Sequence, residues 1–213
     1  MSEYVLKRRV IAVLATLVFA LQSASAVAHK CEQDEPGIWL NSPIDQVKER
    51  KLYELFSCMD TSNRNEYRLR DRTACNWFVA KAVSTIWSFN DFANGAGFLS
   101  ANEIADKLAS NQLSQWRLIG TGNDQTANRE AAATAAANHP VIAAYKSNGP
   151  HGHVALILPG GTKASSSWGV EVPRSASMTI DTPNNAYIGC RVSNAFGADK
   201  KSDVRYYSRS LDP

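Results

Sequence analysis

The chain has 213 residues, with 23 Lys and Arg against 20 Asp and Glu and a formal net charge of +3. That length suits one domain with a sizeable core. The near-neutral balance argues against a nucleic-acid partner, which requires a strongly basic face.

Residues 1–28 read as a signal peptide. Lys7, Arg8 and Arg9 precede an uncharged apolar run, Val10 to Leu21. Ala24-Ser25-Ala26 and Ala26-Val27-Ala28 both fit a small-x-small cleavage pattern. The run is about 12 residues, too short to span ~30 Å of hydrocarbon comfortably as a helix. Lipidation at Cys31 is disfavoured, because His29-Lys30 stands where small apolar residues are needed. Cleavage after 26 or 28 leaves a single domain, 29–213. Losing Lys7, Arg8, Arg9 and Glu3 brings its formal charge to +1. The expected location is the periplasm or the extracellular space, with no stable membrane insertion after cleavage.

An exported chain lies where disulfides persist. Cys31, Cys58, Cys75 and Cys190 pair in three possible ways. If Cys75 stays a thiol, one pair forms among Cys31, Cys58 and Cys190, and the sequence does not choose it. No C-x-x-C and no Cys/His cluster with zinc spacing occurs, so neither a metal nor a cofactor is expected.

The first predicted helix starts with Ser42 as N-cap, Pro43 in the first turn and Asp45 three residues after the cap. Leu52, Leu55, Phe56 and Met59 form its later apolar face. Residues 60–73 are polar and charged and read as a loop. The basic run Arg64 to Arg72, broken by Glu66 and Asp71, reads as its solvated face or as the border of a groove for an anionic polymer. A second helix starts near Cys75, with Phe78, Val79, Ala82, Val83, Ile86 and Trp87 at helical spacing. Gly95 and Gly97 interrupt the chain. Ser100 with Glu103 forms a capping-box pattern for a third helix to about Ala109. A fourth, alanine-rich helix runs from about Asp124 to Asn138.

Strands follow. Val141 to Tyr145 is the first, Ser147-Asn148-Gly149-Pro150 a turn, and His153 to Leu158 the second, ended by Pro159-Gly160-Gly161. A third is expected at Ser166 to Val172, with later strands at Ala186 to Val192 and Val204 to Ser208. Tyr206 and Tyr207 should alternate, one facing in and one out. Helices first and strands second is an α+β pattern: N-terminal helices packed on a C-terminal antiparallel sheet built from consecutive hairpins.

Cys75 and His153 carry the chemical interest. Free backbone N–H groups and the dipole at a helix start favour an anion, and thiolate is the reactive form of cysteine. The same N–H groups suit an oxyanion. Cys75 alone, lying on the apolar face of its helix, reads first as a buried core cysteine or a disulfide half. His153 opens an apolar strand after Gly152, which permits close approach of a backbone or a substrate. Alternation puts His153, Ala155 and Ile157 on one face, and a helix packed there would bring Cys75 to the imidazole. The imidazole would then take the thiol proton and return it to a leaving amine. Taken singly, His153 also reads as a hydrogen-bonded strand-edge residue. His151 has the same parity but belongs to the turn. His29 sits beside the cleavage site, and His139 precedes Pro140 at a helix end.

Ala74-Cys75-Asn76-Trp77-Phe78-Val79 resembles the nucleophile motif of the NlpC/P60 and CHAP amidases, papain-like peptidoglycan hydrolases. Gly152-His153-Val154-Ala155-Leu156-Ile157 resembles their histidine strand. The pattern is most similar to type VI secretion amidase effectors, where an Ala-rich helix leads to a Val-Ile-Ala strand before Gly-His-Val-Ala. Here those are Ala131 to Ala137 and Val141-Ile142-Ala143, and Val204-Arg205-Tyr206-Tyr207 is similar to the effectors' last strand. The resemblance covers about residues 70–210 of the chain. It departs at Ala-Cys-Asn, where many relatives have Asp-Cys-Ser, and in the signal peptide, which such effectors usually lack.

The resemblance implies a papain-like fold, a Cys75 nucleophile and a His153 base. It implies hydrolysis of peptide or amide bonds in peptidoglycan stem peptides, without a cofactor, by a monomer whose expected partners include a cognate immunity or inhibitor protein. The alternatives are an inactive exported binding or inhibitor module on the same scaffold, and a Cys-His acyltransferase. No motif marks the residue that orients the histidine; Ser165, Ser166, Ser167 and Glu171 are candidates.

Overall fold

The computed structural model describes residues 43–59, 75–179 and 186–212. The predicted signal peptide, His29, Cys31, the expected Ser42 cap and the predicted 60–73 loop lie outside them. Four α-helices are described: α1 (Pro43–Met59), α2 (Cys75–Trp87), α3 (Ala101–Ala109) and α4 (Gln125–Ala136). A two-residue hairpin, β1 (Ala93–Asn94) with β2 (Gly97–Phe98), follows α2. The main sheet has β3 (Trp116–Thr121), β4 (Val141–Tyr145), β5 (His153–Ser165), β6 (Val170–Ser177), β7 (Tyr187–Arg191) and β8 (Arg205–Arg209). Its six strands are antiparallel, in the order β3-β8-β4-β5-β6-β7. The class is α+β, as expected. β4 to β7 are the consecutive hairpins, but β8 inserts between β3 and β4.

Helix starts follow their caps. Ser100 accepts from the Glu103 N–H while the Glu103 carboxylate accepts from the Ser100 N–H, a complete capping box. Asp124 accepts from the Thr126 and Ala127 N–H groups at the head of α4. The α2 stripe of Cys75, Phe78, Val79, Ala82, Val83 and Ile86 is buried. Phe56 of α1 meets Phe78 edge to face, with ring centroids 5.7 Å apart.

The helices divide between the two sheet faces. Val154, Leu156 and Leu158 belong to the core of α1, α2 and α3, with Ile142, Ala144, Met178 and Tyr207. Ala155 and Ile157 belong to a second core, beneath α4, with Val141, Ala143, Phe196 and Tyr206. Ala127, Ala131 and Ala135 let α4 lie close. Gly120 of β3 extends that fit, since a Cβ there would stand 2.6 Å from the Ala127 Cβ. Tyr206 and Tyr207 are both buried, one in each core, because neither face is open to water. This corrects the one-in, one-out expectation.

Three strand expectations change. Pro159-Gly160-Gly161 does not end β5. The ladder shifts register between Leu158 and Thr162 and the strand continues to Ser165. Proline lacks the N–H for a ladder bond, so the segment bulges instead. The next strand is Val170–Ser177 rather than Ser166 to Val172. Residues 166–169 are a turn, with the Gly169 N–H donating to Ser165 O at 2.8 Å. β3 was not anticipated. It is an edge strand whose Leu118 stays exposed, so its hydrophobic signal is weak.

A partly buried ion pair ties the far end of the sheet together. Arg209 Nε donates to Asp91 Oδ2 at 2.6 Å, and Trp116 Nε1 donates to the same oxygen at 2.9 Å. The guanidinium also lies over the Phe89 ring, 3.3 Å from its centroid.

Candidate active site

Cys75 opens α2 and is fully buried. It is a reduced thiol, as is Cys58, whereas Cys190 is disulfide-bonded. No acidic side chain occupies the first turn of α2, so no carboxylate there offsets its positive end. Asn76 donates to Leu99 O at 2.8 Å, and Trp77 meets Phe98 edge to face at 5.3 Å. These contacts fasten the helix start to the hairpin strand β2 and the residue after it.

The direction of α2 fixes where its thiol lies. At its C-terminus Trp87 Nε1 donates to Asn138 O at 2.8 Å, just before β4 begins. A helix of this length extends about 20 Å, and β4 about 17 Å. The Cys75 end of α2 therefore lies toward the Tyr145 end of β4. Tyr145 is the register partner of His153. A second link runs through α3. Asn102 donates to Gly149 O at 2.9 Å and accepts from the Ser147 N–H at 3.0 Å, holding the turn that leads into His153.

The expectation that α2 packs on the His153 face is not met. α2 covers the Val154 face, and α4 occupies the face of Ala155 and Ile157. His153 is half-buried, and its ring meets Phe196 of the α4-side core edge to face at 5.1 Å. The imidazole thus faces the α4-side core, while the thiol belongs to the core on the other face of the sheet.

The histidine is held by a residue that sequence reading missed. His153 Nε2 and Ser177 Oγ are 2.8 Å apart, and Ser177 is 1% exposed. With Nε2–H donating to the hydroxyl, Nδ1 presents its lone pair. Nδ1 has no hydrogen-bond partner among the described residues. The four earlier candidates lie elsewhere. Ser165 donates to Ser193 Oγ at 2.9 Å and lies 3.2 Å from Ser167 Oγ, within the turn after β5. Ser166 is an exposed residue of the same turn. Glu171 pairs with Arg129 of α4 at 3.0 Å.

Gly152 has a packing role: a Cβ there would collide with the Asn102 carboxamide and stand 2.7 Å from Tyr145 O. His139 Nδ1 lies 3.2 Å from Arg209 O, a structural contact at the opposite sheet end. His151 is exposed in the turn. Among the described residues no group of three or more His, Cys, Asp or Glu side chains is placed to hold a metal ion. No helix among them is long and apolar enough to cross a membrane.

No protein-family model matches this chain, and no curated protein matches it.

Proposed function

We propose that this protein is an exported cysteine amidase or endopeptidase of papain-like type, cutting peptide or amide bonds of bacterial peptidoglycan. The observation that carries the reading is the disposition of two groups at one sheet end. A reduced thiol stands at a helix start, and a strand-head imidazole is anchored through Nε2. The motif resemblance around both residues supplies the substrate class.

In this mechanism His153 Nδ1 takes the Cys75 proton and the sulfur attacks a substrate carbonyl. The oxyanion is stabilised by backbone N–H groups in the first turn of α2. The imidazolium protonates the leaving amine, and the C–N bond breaks to give a thioester. Water then attacks as His153 accepts its proton. The acid leaves and the thiol is restored.

Full burial of Cys75 favours a second reading, an inactive binding or inhibitor module on the same scaffold. One experiment separates the two. Purified peptidoglycan and defined muropeptides are digested with the mature chain and with Cys75→Ala, His153→Ala and His151→Ala, and products are identified by mass. The amidase reading expects cleavage by wild type, none with the first two variants, and retained activity with His151→Ala. A dead His151→Ala variant overturns the choice of base. An inert wild type whose thiol resists an alkylating probe supports the binding module.

A further inference from the structure

Cys190 belongs to no step of the proposed reaction, yet its sulfur is committed. The chain has four cysteines. Cys58 of α1 and Cys75 of α2 are reduced thiols, whereas Cys190 of β7 is disulfide-bonded. A disulfide needs a second sulfur, and Cys31 is the one cysteine of the chain left to supply it. Cys31 lies outside the described residues, so the sulfur count assigns it rather than a distance. Cys190 is 0% exposed, so a sulfur of the same chain is its natural partner.

The borders of the sheet give a second, independent observation. β3 and β7 are its two end strands. An end strand stays open to water unless something covers it. β3 is open, with Leu118 49% exposed. β7 has no outer neighbour among the described residues, yet Tyr187, Ile188 and Cys190 are 3%, 3% and 0% exposed. Successive side chains of a strand point to opposite faces, so both faces of β7 are covered. Ile188 shares a core with Leu52 and Phe56 of α1, which places the start of the described chain on this side. Cys31 can reach β7 from there. About 12 residues separate it from the start of α1 and extend up to ~40 Å, against roughly 24 Å for the breadth of six strands.

We infer that Cys31 and Cys190 form a disulfide that latches the N-terminal segment of the mature chain to the β7 border of the sheet. The two thiols lose two protons and two electrons as the S–S bond forms. The oxidant is a disulfide of the export compartment, free or carried by an oxidoreductase, and it is reduced to two thiols. The bond closes a loop around nearly the whole mature domain, and long loops are where a crosslink restricts the unfolded chain most. Joining the first and last cysteines also leaves the thiol of α2 reduced in a compartment that oxidises others. The latched strand backs the one that holds the imidazole, because Tyr187 of β7 is the register partner of Ser177. The inference rests on export and not on the reaction assigned to Cys75.

The test uses the full chain, expressed with its signal peptide and purified from the periplasm of a bacterial host. It is alkylated in denaturant without reduction, cut with trypsin and read by mass spectrometry. The expected result is one crosslinked species joining peptides 31–48 and 175–191, with Cys58 and Cys75 alkylated. A link to Cys58 or Cys75, a covalent dimer, or alkylation of all four cysteines overturns the assignment. Cys58→Ser should leave the crosslinked species unchanged. Cys31→Ser, and separately reduction of the wild type, should each lower Tm by on the order of 10 °C. Reducing the Cys31→Ser variant should lower it no further, since the two changes remove the same bond. This comparison needs no substitution at the buried Cys190, where a hydroxyl would itself disturb packing. An unchanged Tm in Cys31→Ser overturns the latch.

Discussion

Ser177 shows how much a single hydroxyl can set. Its oxygen engages Nε2 of His153, so Nδ1 is the nitrogen left over for the proposed proton transfer. A side chain that fixes an imidazole's tautomer and rotation acts on turnover more than on binding. Ser177→Ala should lower kcat about tenfold, the scale of one lost hydrogen bond, with KM little changed. Ser177→Thr keeps a hydroxyl and should recover most of the rate. Steady-state kinetics on a defined muropeptide checks both. If Ser177→Ala turned over like wild type, the hydroxyl would be a packing feature only. The residue was not legible in advance because it depends on register. The bulge at 159–161 slides β6 along β5, so counting from His153 cannot say which serine lies opposite.

At the scale of elements, the turn between β4 and β5 is a manufactured piece. Asn102 of α3 grips it from both sides, and Gly152 is glycine because the carboxamide and the Tyr145 carbonyl occupy the space of a side chain. Gly152→Ala should cost about 1–3 kcal/mol, in the range of an overpacked site, and should also lower activity by displacing His153. Gly149→Ala is the control, because its Cβ would make only an ordinary contact with Ser147 Oγ at 3.4 Å. Its expected cost is within about 0.5 kcal/mol. Urea unfolding of the two variants decides.

Much at this scale was readable from local chemistry. Ser100 with Glu103 and Asp124 with its two N–H partners are contacts within one turn, so the sequence carries them completely. What escaped depends on distant partners. Nothing in Cys75 to Trp87 says which face of β5 it covers. That is decided by the later alanine helix α4, whose small side chains fit the opposite face.

For the molecule as a whole, burial governs the ionisation of two phenols in its C-terminal part. Burial holds Tyr206 and Tyr187 well above the ordinary tyrosine value of 10.0, the neighbouring Tyr187 adding to the effect at Tyr206. Hydrogen bonding from Ser175 only partly opposes the rise at Tyr187. Below pH 10 both folded and unfolded chains keep these protons, and stability is unaffected. Above it the unfolded chain loses them first, so the folded state binds more protons and stability falls as pH rises. The slope should be about 1.4 kcal/mol per pH unit for each tyrosine. Urea denaturation between pH 9 and 11 should show it, and Tyr206→Phe should remove one share. An unchanged slope in that variant would mean that Tyr206 ionises in the folded protein as it does in water.

The insertion of β8 between β3 and β4 has a consequence for how the molecule is assembled. Arg205–Arg209 emerges from the ribosome after every other strand of the sheet, yet it bridges β3 to the remaining four. Until it arrives, the nascent chain carries two open borders facing an empty slot, each able to recruit a stray strand. A chain shortened before Val204 should therefore be lost to self-association, long before the fate of its thiol matters.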